Sequence, residues 1–549
     1  MMNKAYVNSK GYNIKKKYLT DKHINLIEKE LTVSPKTMNY SKTTFKMYEY
    51  SKRKYILPRY WAEKNIGKPS KYKFTHQISN MKFKENIILY EFQKYVLQKS
   101  LPKIKKDGGG LISIACGGGK TIMSLYIACQ LGLKTLVIVH DNELENQWKE
   151  RIEYCTDAKV GIIRQKKIDI EGKDIVIGSI QSIAKKDYGD IFNAFGFVIY
   201  DEAHHVSSKW FSRSLLKTCC KYTLALTATP SRKDGLIRVM HWFLGECAYK
   251  QSVSKNPLVS VKRIIYNTND TKRFIPKERW IRTSENGGKF MADPNAMTIN
   301  LCAIPERTQF MVNILIKIIM ANPNRKILVL SWLIEHLEVM KELLDQKLNE
   351  LITKGELQHN KITTCFFYGK IKKEERKFAR EYGDIIFGTF SMAKEGLDIP
   401  RLNTVLFCTT QTDVRQAAGR ITRGIPKEGN IRPMIIDFTD DLDVMVNHSK
   451  KRKSFYKESL YQEEDIYVFK DKCYSYQKYM KKKDINIKVK KNINTRKNLK
   501  TIFTTNEISN EEVKRYIKLQ EKSTEEDSSQ FSDESNDSVN YNENVFVKK

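Results

Sequence analysis

Ser113-Ile114-Ala115-Cys116-Gly117-Gly118-Gly119-Lys120-Thr121 closes an apolar run and opens into Ile122-Met123-Ser124-Leu125, which has the texture of a helix. A strand that turns through small residues into a helix gathers backbone N–H groups and the positive helix end around one point. Such a point suits the β- and γ-phosphates of a nucleotide. Lys120 is placed to neutralise them and Thr121 to offer its hydroxyl to Mg2+, while Gly117, Gly118 and Gly119 let the backbone wrap closely. The full GxxxxGK[ST] spacing is not met, because Ile114 stands where its first glycine would be. Taken alone, the stretch also reads as a glycine-rich turn.

A second stretch narrows the choice. Phe197-Val198-Ile199-Tyr200 is a short apolar run that ends at once in Asp201-Glu202-Ala203-His204. A nucleoside triphosphatase needs one carboxylate at a strand end to hold Mg2+ and another to orient or deprotonate the attacking water. Asp201 suits the first role and Glu202 the second. A surface turn with two acids is the bland alternative, and it accounts less well for a phosphate loop upstream in the same pattern.

Around these motifs, continuous apolar runs alternate with helix-like stretches. Gly110 to Ala115, Thr135 to Val139, Asp174 to Gly178, Phe197 to Tyr200 and Thr223 to Leu226 form one set. Lys326 to Ser331, Thr363 to Phe367, Asp384 to Thr389, Thr404 to Cys408 and Met434 to Phe438 form a second, with a long amphipathic segment from Glu335 to Leu351. Strands of this kind fit a parallel sheet covered on both faces. The chain divides on this pattern into an N-terminal extension (1–80), an ATP-binding unit (81–250), a polar linker or insertion (251–300), a second α/β unit (301–450) and a basic, then acidic, largely disordered tail (451–549).

Lysine and arginine total 97 against 63 aspartates and glutamates, a formal charge of +34. A surplus of that size points to a polyanionic partner such as nucleic acid. No apolar run approaches the roughly 18 residues of a membrane span, and Met1-Met2-Asn3-Lys4-Ala5-Tyr6 lacks the apolar stretch of a secretory signal. The ten cysteines are scattered, without a CxxC pair. Reduced thiols in an intracellular compartment are the expectation.

Together, Gly119-Lys120-Thr121, Asp201 to His204 and Leu226-Thr227-Ala228-Thr229-Pro230 resemble the motifs of a superfamily-two helicase. Thr389 to Asp398, including Gly396, resembles motif V, and Gln416-Ala417-Ala418-Gly419-Arg420-Ile421-Thr422-Arg423 matches QxxGRxxR of motif VI. Phe92-Gln93 is similar to the glutamine segment that reads adenine, Val139 to Trp148 to motif Ia, and Ser179-Ile180-Gln181-Ser182 to a loop that contacts nucleic acid. The resemblance implies an α/β fold of two tandem RecA-like parallel-sheet domains, with ATP and Mg2+ as cofactors. Thr227, Thr229, Gln181, Thr389, Gly396 and Asp398 would then couple ATP to nucleic acid. Gln416, Arg420 and Arg423 would reach the γ-phosphate from the second unit, where an arginine stabilises the transferring phosphoryl group.

Thr-Ala-Thr-Pro followed by Ser231-Arg232-Lys233-Asp234-Gly235 is similar to the XPB-like DNA helicases and the poxvirus transcript-release branch. Leu57-Pro58-Arg59-Tyr60 and the Gln416 opening resemble that branch as well. This implies DNA rather than RNA as the partner, RNA polymerase or other transcription proteins as associates, and no membrane. It also implies a cytoplasmic setting, in a viral factory or with a cytoplasmic genetic element, the nucleus remaining an alternative. An RNA helicase of the DExH group and a non-catalytic nucleic-acid scaffold are the competing functions. In the tail, Tyr474, Tyr476 and Tyr479 lie among lysines from Lys472 to Lys500, a pattern suited to phosphates and unpaired bases, with a solvated disordered segment or a nuclear import signal as the alternative.

Overall fold

In the computed structural model the residues described are 4–34, 44–115, 117–205, 210–228, 237–251, 255–268, 270–281, 288–357, 362–395, 399–422, 427–470, 472–483, 503 and 507–519. The first set of apolar runs forms the middle of an eight-stranded sheet. Its order is Lys167–Asp169, Val160–Arg164, Ile175–Ser179, Thr135–Val139, Phe197–Tyr200, Tyr222–Thr227, Gly109–Ser113 and Cys247–Lys250. Neighbours are parallel except Lys167–Asp169, which folds back on Val160–Arg164 as a hairpin. Alternate side chains serve opposite cores, as the pleat requires. Val137, Val139, Ile199 and Leu224 pack with Trp148 and Leu125 on one face. Leu136, Ile138, Val198 and Tyr200 line the other.

The N-terminal residues cover that second face. They form a five-stranded sheet ordered Glu49–Tyr50, Lys54–Leu57, Gly11–Lys15, Tyr6–Asn8 and Lys71–Tyr72, and Val7, Tyr12, Ile14 and Trp61 enter the same core. An extension of weak periodicity is therefore an ordered layer of the first unit. Leu57 to Trp61 carries the strand Lys54–Leu57 through Pro58 into the helix Arg59–Asn65. Buried Arg59 donates to the carbonyls of Cys220 and Lys221 at 3.0 and 2.9 Å. Tyr60 donates to the carbonyl of Gly108 at 2.6 Å. These bonds tie the layer to the start of two sheet strands.

The second eight-stranded sheet is ordered Thr364–Phe367, Ile385–Thr389, Ile327–Ser331, Thr404–Phe407, Met434–Asp440, Ser260–Asn267, Gln462–Phe469 and Lys472–Tyr474. Only its last pair is antiparallel. Two boundaries from the sequence are corrected here. Ser260–Asn267, inside the supposed linker 251–300, is an interior strand between Met434–Asp440 and Gln462–Phe469. Gln462–Phe469, inside the supposed disordered tail, pairs with it over its whole length.

Both strands look polar because their charges answer each other. The register sets Lys262 opposite Glu464 and Arg263 opposite Asp465, with N–O distances of 2.7 and 2.6 Å. The helix Asp443–Glu458 is locked underneath: buried Arg452 donates to both carboxylate oxygens of Asp437, at 2.8 and 2.7 Å, and Tyr456 donates to the same carboxylate at 2.9 Å. Tyr479, expected to stack on bases, is buried and donates to Asp441, so it is not available for that role. Phe503 also lies in the second core.

Candidate active site

The strand Gly109–Ser113 ends beside Tyr222–Thr227, where Ile114 N–H donates to the Thr227 carbonyl at 3.1 Å. The chain then turns into the helix Lys120–Leu131, with Gly119 as its N-cap. Gly117 and Gly119 have φ of +84° and +85°, a left-handed conformation that a side chain resists. Gly119 has a second reason to lack a Cβ. That atom would come within 2.2 Å of Gln93 Nε2, because the buried Gln93 amide lies against the loop. Gln93 Oε1 accepts from Tyr90 N–H at 3.1 Å, which fixes the amide there. Lys120 Nζ rests 3.2 Å from the Ile114 carbonyl. Thr121 and Gly118 complete the loop, partly open to solvent.

A cavity of about 590 Å³ lies alongside, between Met81 to Leu89 and the helix face carrying Tyr126 and Cys129. No residue from Gly117 to Thr121 lines it, so it is separate from the phosphate loop.

Asp201 follows the last residue of Phe197–Tyr200, two strands away from the loop strand. Its Oδ2 accepts from Trp148 Nε1 at 2.7 Å and its Oδ1 from Glu202 N–H at 2.9 Å. Glu202 adopts a φ of +44°, an uncommon conformation for a residue with a side chain. Its Oε2 is buried 3.3 Å from His204 Nδ1 and accepts no hydrogen bond from the described residues. Burial and the adjacent Glu202 charge push the Asp201 carboxyl up. Burial pushes Glu202 up as well, but His204, Lys120 and Arg420 outweigh it and hold Glu202 below the usual carboxylate range. Glu202 is therefore ionised at neutral pH, with one oxygen still able to accept.

The donor set fits a divalent cation and a water. A carboxylate at a strand end and a helix-start hydroxyl are the hard oxygen ligands that Mg2+ takes. The Glu202 carboxylate is the group to which an attacking water would donate a hydrogen bond.

His204 Nδ1 also lies 3.3 Å from Thr227 Oγ1, which joins the acidic pair to the end of Tyr222–Thr227. From the second unit, Arg420 follows the helix Arg415–Gly419, and its Nε donates to the Ala393 carbonyl at 2.8 Å. Its charge is among those that hold the Glu202 carboxyl down. Gln416 sits in the same short helix and Thr389 ends Ile385–Thr389, its hydroxyl 3.2 Å from Ser391 Oγ. A further bridge joins the units, with Glu143 pairing with Arg376 and Arg380 of the helix Lys373–Tyr382. Thr229, Gly396, Asp398 and Arg423 lie outside the described residues.

Gln181 donates to the His140 carbonyl and lines a cavity of about 320 Å³ with Asp141, Asn142, Arg164 and Ser179. The two segments matched to motif Ia and the contact loop thus meet in one depression. Arg164 was not legible as a candidate site residue, since it ends an ordinary strand one in from the sheet's edge. Trp148 was quoted only as the end of a motif. Its hydrogen bond to Asp201 spans 53 positions and leaves no local signal.

Residues 86–232 match the family model described as type III restriction enzyme, res subunit, and residues 311–425 match the helicase conserved C-terminal domain. A protein of Acanthamoeba polyphaga mimivirus, provisionally named an ATP-dependent RNA helicase, is 30% identical over 472 residues, covering 83% of this chain and 86% of its own. The chain belongs to the superfamily-two helicases. A provisionally named helicase of Invertebrate iridescent virus 6 is 29% identical and covers 72% of this helicase and 85% of its own chain. The DNA 3'-5' translocase of Sulfurisphaera tokodaii is 31% identical over 172 residues, 31% of this helicase and 38% of that protein. The helicase is an enzyme that hydrolyses ATP and acts on nucleic acid. No helix among the described residues is long and apolar enough to cross a membrane.

Proposed function

We propose that this helicase is a DNA-dependent ATPase that moves along or unwinds DNA in transcription, at transcript release, or in repair. The observation that carries the chemistry is the chain of contacts Trp148–Asp201–Glu202–His204–Thr227, with Arg420 acting on it from the second unit. In this reading Lys120 and the loop N–H groups hold the triphosphate, and Gln93 borders the adenine. Mg2+, when bound, neutralises phosphate charge and would be held by Asp201 and Thr121. Glu202 orients a water and takes its proton as the new O–P bond forms and ADP departs. Arg420 and Arg423 offset charge on the transferring group, and Gln416 supports them.

Hydrolysis would be felt at Thr227 through His204, and beyond it at Thr229, Gln181, Thr389, Gly396 and Asp398. The depression lined by Arg164 and Gln181 is the proposed path of the backbone. Closure of the cleft then depends on nucleotide, because the second unit's arginines are needed for turnover.

DNA is favoured by the likeness of Thr227-Ala228-Thr229-Pro230 to XPB-like motifs and by the similarity to the DNA translocase of Sulfurisphaera tokodaii. The name of the mimivirus relative favours RNA instead. ATPase rates measured with DNA and RNA of matched length decide between them: several-fold stimulation by DNA and less by RNA is expected, and the reverse overturns the choice of polymer. Stimulation by neither would revive the scaffold alternative. An RNA polymerase partner and a cytoplasmic setting, in a viral factory or with a cytoplasmic element, belong to the same proposal. Co-purification and imaging of the tagged chain test them.

A further inference from the structure

Between the interior strand Ser260–Asn267 and the helix Pro294–Cys302 the chain makes a separate two-stranded ribbon, Glu278–Ile281 with Lys289–Ala292. It belongs to neither large sheet. Both ends are anchored in the second core, Phe274 before it and Met297 and Leu301 after it. Asp293 N–H closes the base by donating to the Lys277 carbonyl at 2.7 Å, and Asp293 then caps the following helix. The ribbon is thus held firmly without being covered.

What it presents is unusual for a surface. Trp280 and Phe290 are cross-strand partners, with centroids 5.0 Å apart at 69°. They remain 56% and 65% exposed. A cross-strand aromatic pair steadies a hairpin, but that role alone does not require leaving most of both rings in water. The Trp280 ring is fixed against the backbone of Gly288, where a Cβ would lie 2.6 Å from Trp280 Cζ2. Gly288 has a φ of +134°. One side of the indole is therefore spent on the ribbon and the other faces outward.

The flanks supply charge. Residues 272 to 293 carry six lysines or arginines against three acids. Arg279 and Lys289 are exposed, and no carboxylate among the described residues pairs with either. They lie on the opposite face from the rings, yet the ribbon is only two strands wide. Long side chains at both edges can reach phosphates of a strand whose bases lie on the rings.

We propose that this ribbon is a stacking platform for an unpaired nucleic-acid strand, with Trp280 and Phe290 taking bases and Arg279 and Lys289 taking phosphates. It rests on the nucleic-acid-dependent ATPase reading and adds to it a binding site outside the two sheets. Aromatic stacking tolerates any base, so the site would favour single strands over duplex without sequence preference.

The test uses the full chain with Trp280→Ala, Phe290→Ala, Trp280→Phe and Arg279→Ala/Lys289→Ala. Anisotropy is read with labelled single-stranded oligothymidylate, with oligouridylate and with a duplex of equal length. Loss of one ring is expected to weaken single-strand binding about 5- to 100-fold, with little change on duplex. Trp280→Phe should stay close to wild type. The salt dependence should flatten in Arg279→Ala/Lys289→Ala and not in the ring variants, and basal ATPase should be unaltered throughout. Unchanged single-strand affinity in Trp280→Ala/Phe290→Ala overturns the platform, as does an equal loss on duplex. A dimer in the wild type that becomes monomer in Trp280→Ala also overturns it, because the rings would then serve a second copy. If wild-type ATPase responds to nucleic acid while the ring variants bind normally, the platform alone fails. If wild type responds to none, the underlying reading fails.

Discussion

The two large sheets share a plan and use charge in opposite ways. In the first, the strands are nearly neutral and the ionised groups stand where strands end: Lys120 at a helix start, and Asp201 and Glu202 directly after Tyr200. In the second, charges run through the sheet itself. Lys262, Arg263, Glu464 and Asp465 face each other in register, and Arg452 closes on Asp437 at complete burial. Charge left at a strand end keeps its reactivity for a ligand. Charge matched inside a sheet loses it and holds the flank in place. Arg420 is the exception in the second unit, since its field reaches the acidic pair of the first.

That contrast can be broken most strongly at Arg420. Arg420→Ala should lower nucleic-acid-stimulated ATP turnover by about 10³–10⁵, with an unaltered melting curve. A reduction below tenfold in steady-state assays would leave the first unit catalytically self-sufficient.

Glu202→Gln comes next. Turnover should fall by roughly 10²–10⁴, while nucleotide binding, followed with a fluorescent ATP analogue, persists. Lys120→Ala should do the reverse and lose binding first. Normal hydrolysis by Glu202→Gln would remove Glu202 from its assigned role.

A matched interior charge should instead cost stability. Arg452→Ala strands the Asp437 carboxylate in the core and should destabilise the second unit by about 3–5 kcal/mol, seen as a lower urea midpoint and early proteolysis there. The same reasoning redirects any truncation: ending the chain near Tyr456 deletes Gln462–Phe469 and with it the partner of an interior strand.

The partly buried pair Lys262–Glu464 at the flank is a milder probe. Lys262→Glu and Glu464→Lys should each destabilise modestly, by up to about 1 kcal/mol, and the double exchange should restore most of the loss. Failure of the exchange to recover in a thermal melt would mean that packing, not pairing, sets the register.

The smallest effect concerns the tail. Replacing Lys488, Lys490 and Lys491, all outside the described residues, by glutamine should flatten the salt dependence of DNA binding. The change should be about 0.9 per lost contact on duplex, with ATPase measured alone unaffected.

The order of residues was enough to read the fold class and to propose the chemistry. Gly117 to Thr121 and Asp201 to His204 carry their meaning locally, because a phosphate loop and a strand-end acid pair need particular residues at adjacent positions. The helix Ile334–Thr353 was legible because burying one face demands apolar residues three and four apart, as at Leu337, Met340, Leu344 and Leu348, and the neutral strands because burial on both faces demands continuous apolar runs. The N-terminal layer, the strands Ser260–Asn267 and Gln462–Phe469, and the Trp148 bond to Asp201 became visible only in the folded chain. Each depends on a partner far along the chain: Arg59 on the carbonyls of Cys220 and Lys221, Lys262 on Glu464, Trp148 on Asp201. A charged residue looks solvated until its counterion is folded beside it. The pairing that makes such a strand an interior one therefore exists only once the sheet has formed.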